Sequence, residues 1–130
     1  MKYLIDSDVL IYYLKGKPNA IARLGEIPAE DLYTSRINAT ELLYGAYNSE
    51  RVRYNLSVIE PFLKQFILLE FDAKASRIFA REKAHLKRTG TLIPDMDLMI
   101  AAIAMANDCT LITNNLKHFE RIRGLKVEGV

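Results

Sequence analysis

The stretch Lys2-Tyr3-Leu4-Ile5-Asp6-Ser7-Asp8-Val9-Leu10-Ile11 constrains this chain more than any other. Strand-like apolar residues run straight into a carboxylate, and a second carboxylate follows two positions later. The apolar pattern then resumes at helical spacing, with Leu10, Tyr13 and Leu14 able to share a face. A strand that stops on an aspartate and turns at once into a helix is the opening unit of an open parallel α/β sheet. In such sheets ligands bind beyond the carboxyl ends of the strands, where strand order reverses. Asp6 is expected there.

The remaining pattern repeats that unit. Lys15 to Asn19 reads as a turn, Ala20 to Ile27 as a short helix before Pro28, and Asp31 to Ser35 as a second strand. A helix is expected from Asn38, burying Ala39, Leu42, Leu43 and Ala46. Another is expected over Ser49 to Phe66, with Val52, Leu56, Ile59 and Leu63 as its stripe and Pro61 as an irregularity. Phe66 to Phe71 reads as a third strand, and Asp72 as the cap of a long helix ended by Gly90. That helix is expected to bury Ala75, Ile78, Phe79, Ala84 and Leu86, and to carry Lys74, Arg77, Arg81, Lys83, Lys87 and Arg88 outside. Asp95-Met96-Asp97 opens a helix apolar all round, which places it inside the protein with Met96, Met99 and Met105 in the core. Cys109 to Thr113 is a fourth strand, Asn114 to Phe119 a turn and short helix, and Leu125 to Val127 a last short strand. Strands alternating with helices, without a hairpin signal, predict a parallel sheet wrapped by helices.

The 130 residues are expected to form one domain, 1–130, large enough to bury about two-thirds of its unfolded surface. A net charge of +2 permits a polyanionic partner without demanding one. With a single cysteine, Cys109, no internal disulfide can form, and a reducing, cytoplasmic setting is expected. Asp6 and Asp8 interrupt any signal-peptide core, and the longest apolar run, Leu98 to Ala106, is far short of the roughly 20 residues of a membrane span.

Four acidic or amide positions carry the candidate chemistry. Asp6 ends the first strand, Glu41 lies in the first turn of the helix after the second, Asp97 opens the buried helix, and Asn115 follows the fourth strand. Each has a structural explanation. Asp6, Ser7 or Asp8 can cap the first helix, Asn38-Ala39-Thr40-Glu41 fits a capping box, and Asp95 and Asp97 complement a helix dipole. Asn115 can simply turn the chain. Spacing alone does not bring Asp97 to the edge the others share. Three converging carboxylates without a counter-charge would raise one another's pKa values. A hard divalent cation, Mg²⁺ or Mn²⁺, removes that conflict.

Four segments together resemble the PIN-domain nucleases, and within them the VapC-type toxins of toxin–antitoxin pairs. They are Tyr3 to Ile11, Thr40-Glu41-Leu42-Leu43-Tyr44-Gly45-Ala46, Pro94 to Ala102, and Leu111 to Ile122, in the family's order across nearly the whole chain. The resemblance implies a three-layer α/β/α domain with a central, mainly parallel sheet of four to five strands. It implies that Asp6, Glu41, Asp97 and Asn115 are the catalytic set, that Asp6 and Asp97 hold the metal while Glu41 positions the attacking water or completes the metal shell, and that the buried helix starts at the active edge. Asp8, Asp95 and Thr113 would stand behind them. Two departures stand out: Asp8 replaces a common Asn, and Asn115 replaces a common Asp, which removes a charge. Asp95 could compensate or only cap.

The implied reaction is Mg²⁺-dependent hydrolysis of an RNA phosphodiester by the toxin of a pair, inhibited by a cognate antitoxin, in a protein that forms a homodimer. His85 and His118 read as surface or packing residues. The basic face from Lys74 to Arg88 can follow an RNA backbone, and Tyr12, Tyr13, Tyr44 and Tyr47 can stack on unpaired bases. Two rival readings remain open. Asp6-Ser7-Asp8-Val9 also resembles the nucleophile motif of haloacid-dehalogenase-type phosphatases, with Asp8 as general acid. Asn115 is compatible with a PIN module of weakened catalysis that only binds RNA or protein.

Overall fold

A computed structural model describes all residues, 1–130. Five strands form one all-parallel sheet: β1 (Lys2–Ile5), β2 (Leu32–Ser35), β3 (Ile67–Leu69), β4 (Cys109–Ile112) and β5 (Val127–Glu128). Their spatial order is β3-β2-β1-β4-β5. The chain steps outward from β1 to β3, returns to place β4 on the other side of β1, and steps outward again. Strand order therefore reverses between β1 and β4, and the crevice of an open α/β sheet lies at their carboxyl ends. The register pairs Leu4 with Leu111 and Ile5 with Ile112.

Side chains alternate across a strand, and this divides the core in two. On one face Leu4, Leu111 and Cys109 pack with α5 (Ala73–Arg88), α6 (Asp95–Ala106) and α7 (Leu116–Phe119), through Leu86, Leu98, Ile100, Ile103 and Phe119. On the other, Ile5 and Ile112 meet α1 (Ser7–Leu14), α2 (Pro18–Gly25), α3 (Arg36–Tyr47) and α4 (Val52–Leu63), through Val9, Leu10, Leu24, Leu42 and Phe62. The three-layer α/β/α architecture is the expected one. Burial of Cys109 between strand neighbours pushes its thiol up to about 11, so it is inert at neutral pH.

Several boundaries differ from the sequence reading for identifiable reasons. Helix α2 starts at Pro18, since proline at the first helical position loses no hydrogen bond. A 3₁₀ turn over Ala29–Asp31 delays β2 to Leu32. Helix α3 starts at Arg36 rather than Asn38, because Ser35 is its cap: the Asn38 amide donates to Ser35 Oγ over 3.2 Å. Glu41 therefore lies in the second turn, and the capping box over 38–41 does not form. Helix α4 is shorter than Ser49–Phe66 and contains Pro61; it fully buries only Phe62. On α5, Ala84 is exposed where burial is expected, and Glu82 is buried in its place. Arg81 and Arg123 each approach the Glu82 carboxylate at 3.4 Å, which is what lets an acid occupy the inward face. Met96 is 41 % exposed rather than core, because it stands in the first turn of α6, before the helix enters the interior.

Candidate active site

The sequence around Asp6 makes a strand end and a helix start share one residue. Its backbone amide continues the ladder to Ile112 O (2.9 Å), while its side chain caps α1 by accepting from the Ser7 amide (2.8 Å). The capping explanation is thus correct as far as it goes, but Asp6 is also held from two other elements. Asn38 Nδ2 on α3 donates to Oδ1 (3.0 Å), and the Thr113 hydroxyl at the end of β4 donates to Oδ2 (2.7 Å). A carboxylate offers about four lone-pair positions. Three are taken, and the one that remains is on Oδ2.

The network continues outward from there. Asn38 Nδ2 also donates to Ser7 Oγ (2.9 Å), and its Oδ1 accepts from the Ser35 hydroxyl (2.5 Å). Ser7 Oγ in turn donates to Glu41 Oε1 (2.6 Å), leaving Oε2 without a protein partner. Asp97, in the first turn of α6, is held by the α7 side of the crevice. Its Oδ2 lies 2.7 Å from His118 Nδ1 and 3.5 Å from Asn115 Nδ2. His118 Nδ1 also lies 2.8 Å from Asn115 Nδ2. One ring nitrogen serves only one of these neighbours: protonated, it donates to Asp97; bare, it accepts from Asn115. Asn115 is further fixed by its amide donating to Thr113 Oγ1 (3.0 Å).

Electrostatics sets these acids apart from ordinary caps. Burial, followed by the neighbouring charge of Asp8 and a smaller contribution from Asp97, lifts Asp6 to about 7 against the opposing hydrogen bonds from Thr113 and Ser7. Asp8 is raised by burial, opposed by the amides of Asn114 and Val9 and reinforced by Asp97. Glu41 is raised by burial, opposed by its bond from Ser7 and reinforced by Asp97 and Asp8. No lysine or arginine bonds to any of these acids; the one cation-capable neighbour is His118, at Asp97. Like charges without counter-charge in a buried crevice are what a cation relieves.

The donor set fits Mg²⁺ or Mn²⁺. The oxygens available are hard carboxylates, on Asp6 Oδ2, Asp97 Oδ1 and Glu41 Oε2. No three acidic, histidine or cysteine side chains form a ready metal cage. A cation that retains several waters suits two carboxylates, and Mg²⁺ has that habit.

Each residue singled out by the sequence has a defined place. Asp6, Glu41, Asp97 and Asn115 come together at the β1–β4 crevice, and Thr113 bonds Asp6 directly. Asp8 sits at the rim with both oxygens engaged, Oδ1 by the Val9 amide (2.7 Å) and Oδ2 by the Asn114 amide (3.0 Å). Asp95 stands apart. It ion-pairs with Lys83 at the surface over 2.9 Å and bonds to none of the other acids, so it does not compensate for Asn115.

Three further residues, His118, Ser7 and Asn38, belong to the site. His118 is no packing residue, since its ring nitrogen meets Asp97. The signal for it was its position three residues after Asn115, one turn along a short helix. Ser7 and Asn38 carry the connection from Asp6 to Glu41, and only the tertiary contact between α1 and α3 reveals them.

Comparison with known proteins agrees with this geometry. The PIN domain family matches residues 3–125. Ribonuclease VapC2 of Haemophilus influenzae is 37% identical over 99% of this chain and 98% of its own length. The tRNA(fMet)-specific endonuclease VapC of Salmonella typhimurium is 34% identical over 98% of this chain and 97% of its own. Among solved structures, VapBC2 from Rickettsia felis bound to a DNA fragment of its promoter superimposes with a TM-score of 0.93 at 30% identity. That match covers 100% of this chain and 99% of the other. A fold, an ordered set of acids and full-length similarity thus converge, and the chain belongs to the PIN-domain family, in its VapC group.

Proposed function

We propose that this protein is a metal-dependent endoribonuclease that hydrolyses RNA phosphodiester bonds and acts as the toxin of a toxin–antitoxin pair. The observation that carries the reading is the convergence of Asp6, Glu41 and Asp97 in one crevice, with burial first and then the charges of Asp8 and Asp97 raising Asp6 to about 7, and no lysine or arginine to neutralise the acids. The names of its relatives support the substrate class: similar proteins are called ribonuclease and tRNA-specific endonuclease. Relatives solved as VapBC complexes support an antitoxin partner. Exposed Tyr47, Tyr54 and Val58 offer apolar surface for the antitoxin or for a homodimer. No helix is long and apolar enough to cross a membrane, which is compatible with action in the cytoplasm.

Asp6 and Asp97 would hold the cation, with Thr113 and Asn38 fixing the first and His118 the second. When bound, Mg²⁺ or Mn²⁺ supplies Lewis-acid stabilisation of charge on the phosphate oxygens and acidifies nearby water. Glu41, held at Oε1 by Ser7, presents Oε2 to the attacking water and accepts its proton there; its raised pKa makes it a better base than a surface glutamate. Asn115 adds a neutral donor beside Asp97 where an aspartate would add charge. The basic residues of α5 give RNA a salt-dependent track.

Cleavage of a single-stranded RNA by purified protein tests the reading. Activity should appear with Mg²⁺ or Mn²⁺, vanish with a chelator, and fall at least 100-fold in Asp97→Asn, the order of loss expected when a group that sustains the chemistry is removed. Equal cleavage by the variant, or cleavage that survives chelation, would refute it.

A further inference from the structure

Beside the acids lies a second feature that the proposed mechanism does not use. A cleft of about 610 Å³ opens between α3 and α6, lined by Thr40, Glu41, Tyr44 and Met96. Glu41 forms a wall common to both sites. Tyr44 is three residues beyond it on the same helix face, and Met96 immediately precedes Asp97. Both apolar walls are open to water, Tyr44 at 68 % and Met96 at 41 % exposure. Tyr44 belongs to none of the ring–ring pairs of the chain. A large ring and a flexible thioether therefore face each other across a space of ligand-binding size, one residue and one helical turn from the proposed reaction centre.

The lining chemistry selects the occupant. No lysine or arginine lines the cleft, and Glu41 would repel a phosphate or an acidic side chain. What the walls favour is a flat, uncharged ring with polar edges, stacked on Tyr44 and covered by Met96, with the Thr40 hydroxyl and the carboxylate at its rim. Given the endoribonuclease reading, on which this rests, we infer that the cleft receives an unpaired nucleobase flanking the scissile phosphate, and that Tyr44 and Met96 are substrate-positioning residues. Stacking on a tyrosine is tolerant of base identity, because every base has a π-face. The cleft thus demands an unstacked base at the cleavage site before it demands a particular one.

The test uses full-length protein, a defined single-stranded RNA with a single cleavage site, and the same RNA carrying an abasic ribose at either nucleotide flanking that site. On intact RNA, Tyr44→Ala should raise KM about tenfold and Met96→Ala by a smaller factor, with kcat changed less than KM, as expected from loss of one stacked base. Tyr44→Phe, which keeps the ring, should behave as wild type. On one of the two abasic RNAs the penalty of Tyr44→Ala should disappear, identifying the side that stacks. Unchanged KM in Tyr44→Ala would overturn the assignment, as would an equal loss on intact and both abasic RNAs. Conversion of a dimer to a monomer by Tyr44→Ala in sedimentation, with wild-type KM, would also overturn it by making the cleft an interface between copies. These outcomes are separable from failure of the function itself: if wild-type cleavage is insensitive to Asp97→Asn the nuclease reading falls, whereas Asp97-dependent cleavage indifferent to Tyr44 removes only the base cleft.

Discussion

Asp6 is a carboxylic acid whose ionisation the fold opposes, and this gives metal-free protein an unusual dependence on pH. Its folded pKa of about 7 lies above the ordinary 3.8, so the native state binds this proton more tightly than the unfolded chain. Below about pH 3 both states are protonated and the group costs the fold nothing. As pH rises towards 7 the unfolded chain ionises first, and stability attributable to Asp6 falls; above about 7 the loss is complete, at most roughly 4 kcal/mol. Thermal melts in the presence of chelator should therefore show wild type losing ground to Asp6→Asn between pH 4 and 7, with the gap constant above. A gap independent of pH would show that Asp6 is charged throughout. At this same scale, sequence revealed the acids but not their holders. Asp6, Glu41 and Asp97 stand next to apolar runs, which makes them conspicuous, but only the family resemblance sets Asp97 at the edge the others share. Ser7, Asn38 and His118 are not conspicuous, because a serine, an asparagine and a histidine become meaningful only when a distant element supplies their partner. Asp95 stays ambiguous in the sequence because it is as conspicuous as Asp97; in the structure it faces Lys83 and solvent.

Among the elements, α3 is the one whose start decides the site. The sequence leaves its start open by two residues, because Asn38-Ala39-Thr40-Glu41 and Ser35 are both legitimate capping signals and local chemistry does not choose between them. Tertiary structure does: with Ser35 capping, Asn38 turns inward to Asp6 and Glu41 one turn later reaches Ser7. Ser35→Ala removes a buried hydroxyl that both accepts from the Asn38 amide and donates to its Oδ1. It should cost about 1–2 kcal/mol, by loss of a cap and the stranding of one acceptor. Chemical denaturation measures the first effect. RNA cleavage under native conditions should also fall, because Asn38 loses the bond that aims it at Asp6; destabilisation with undiminished activity would mean that Asn38 holds its position unaided. The short elements, such as β3 with three residues and β5 with two, are shorter than or displaced from the apolar runs that signal them, since an apolar run does not mark where pairing ends.

For the molecule as a whole, the alternation of strands and helices was legible, and so was the parallel sheet, because each element carries its own period. The strand order was not; it follows from which faces find partners. That order places β1 beside β4 and so brings residues more than a hundred positions apart, Asp6 and Thr113, within one hydrogen bond. It also concentrates acids at one edge of a chain whose net charge is +2, so the repulsion is local and a local cation should relieve it. A cation that binds the folded state alone adds stability as RT ln(1 + [L]/Kd), about 1.4 kcal/mol at ten times Kd. For a chain of this length that amounts to about 5 °C in Tm. At pH 7.5, where most of Asp6 is ionised, saturating Mg²⁺ or Mn²⁺ should raise the melting temperature of wild type by that order over a chelator control. Asp6→Asn and Asp97→Asn should lose most of the rise, and at pH 5, where Asp6 holds its proton, the wild-type rise should shrink as well. Identical melts with metal and with chelator at pH 7.5 would mean that these carboxylates meet for a reason other than a cation.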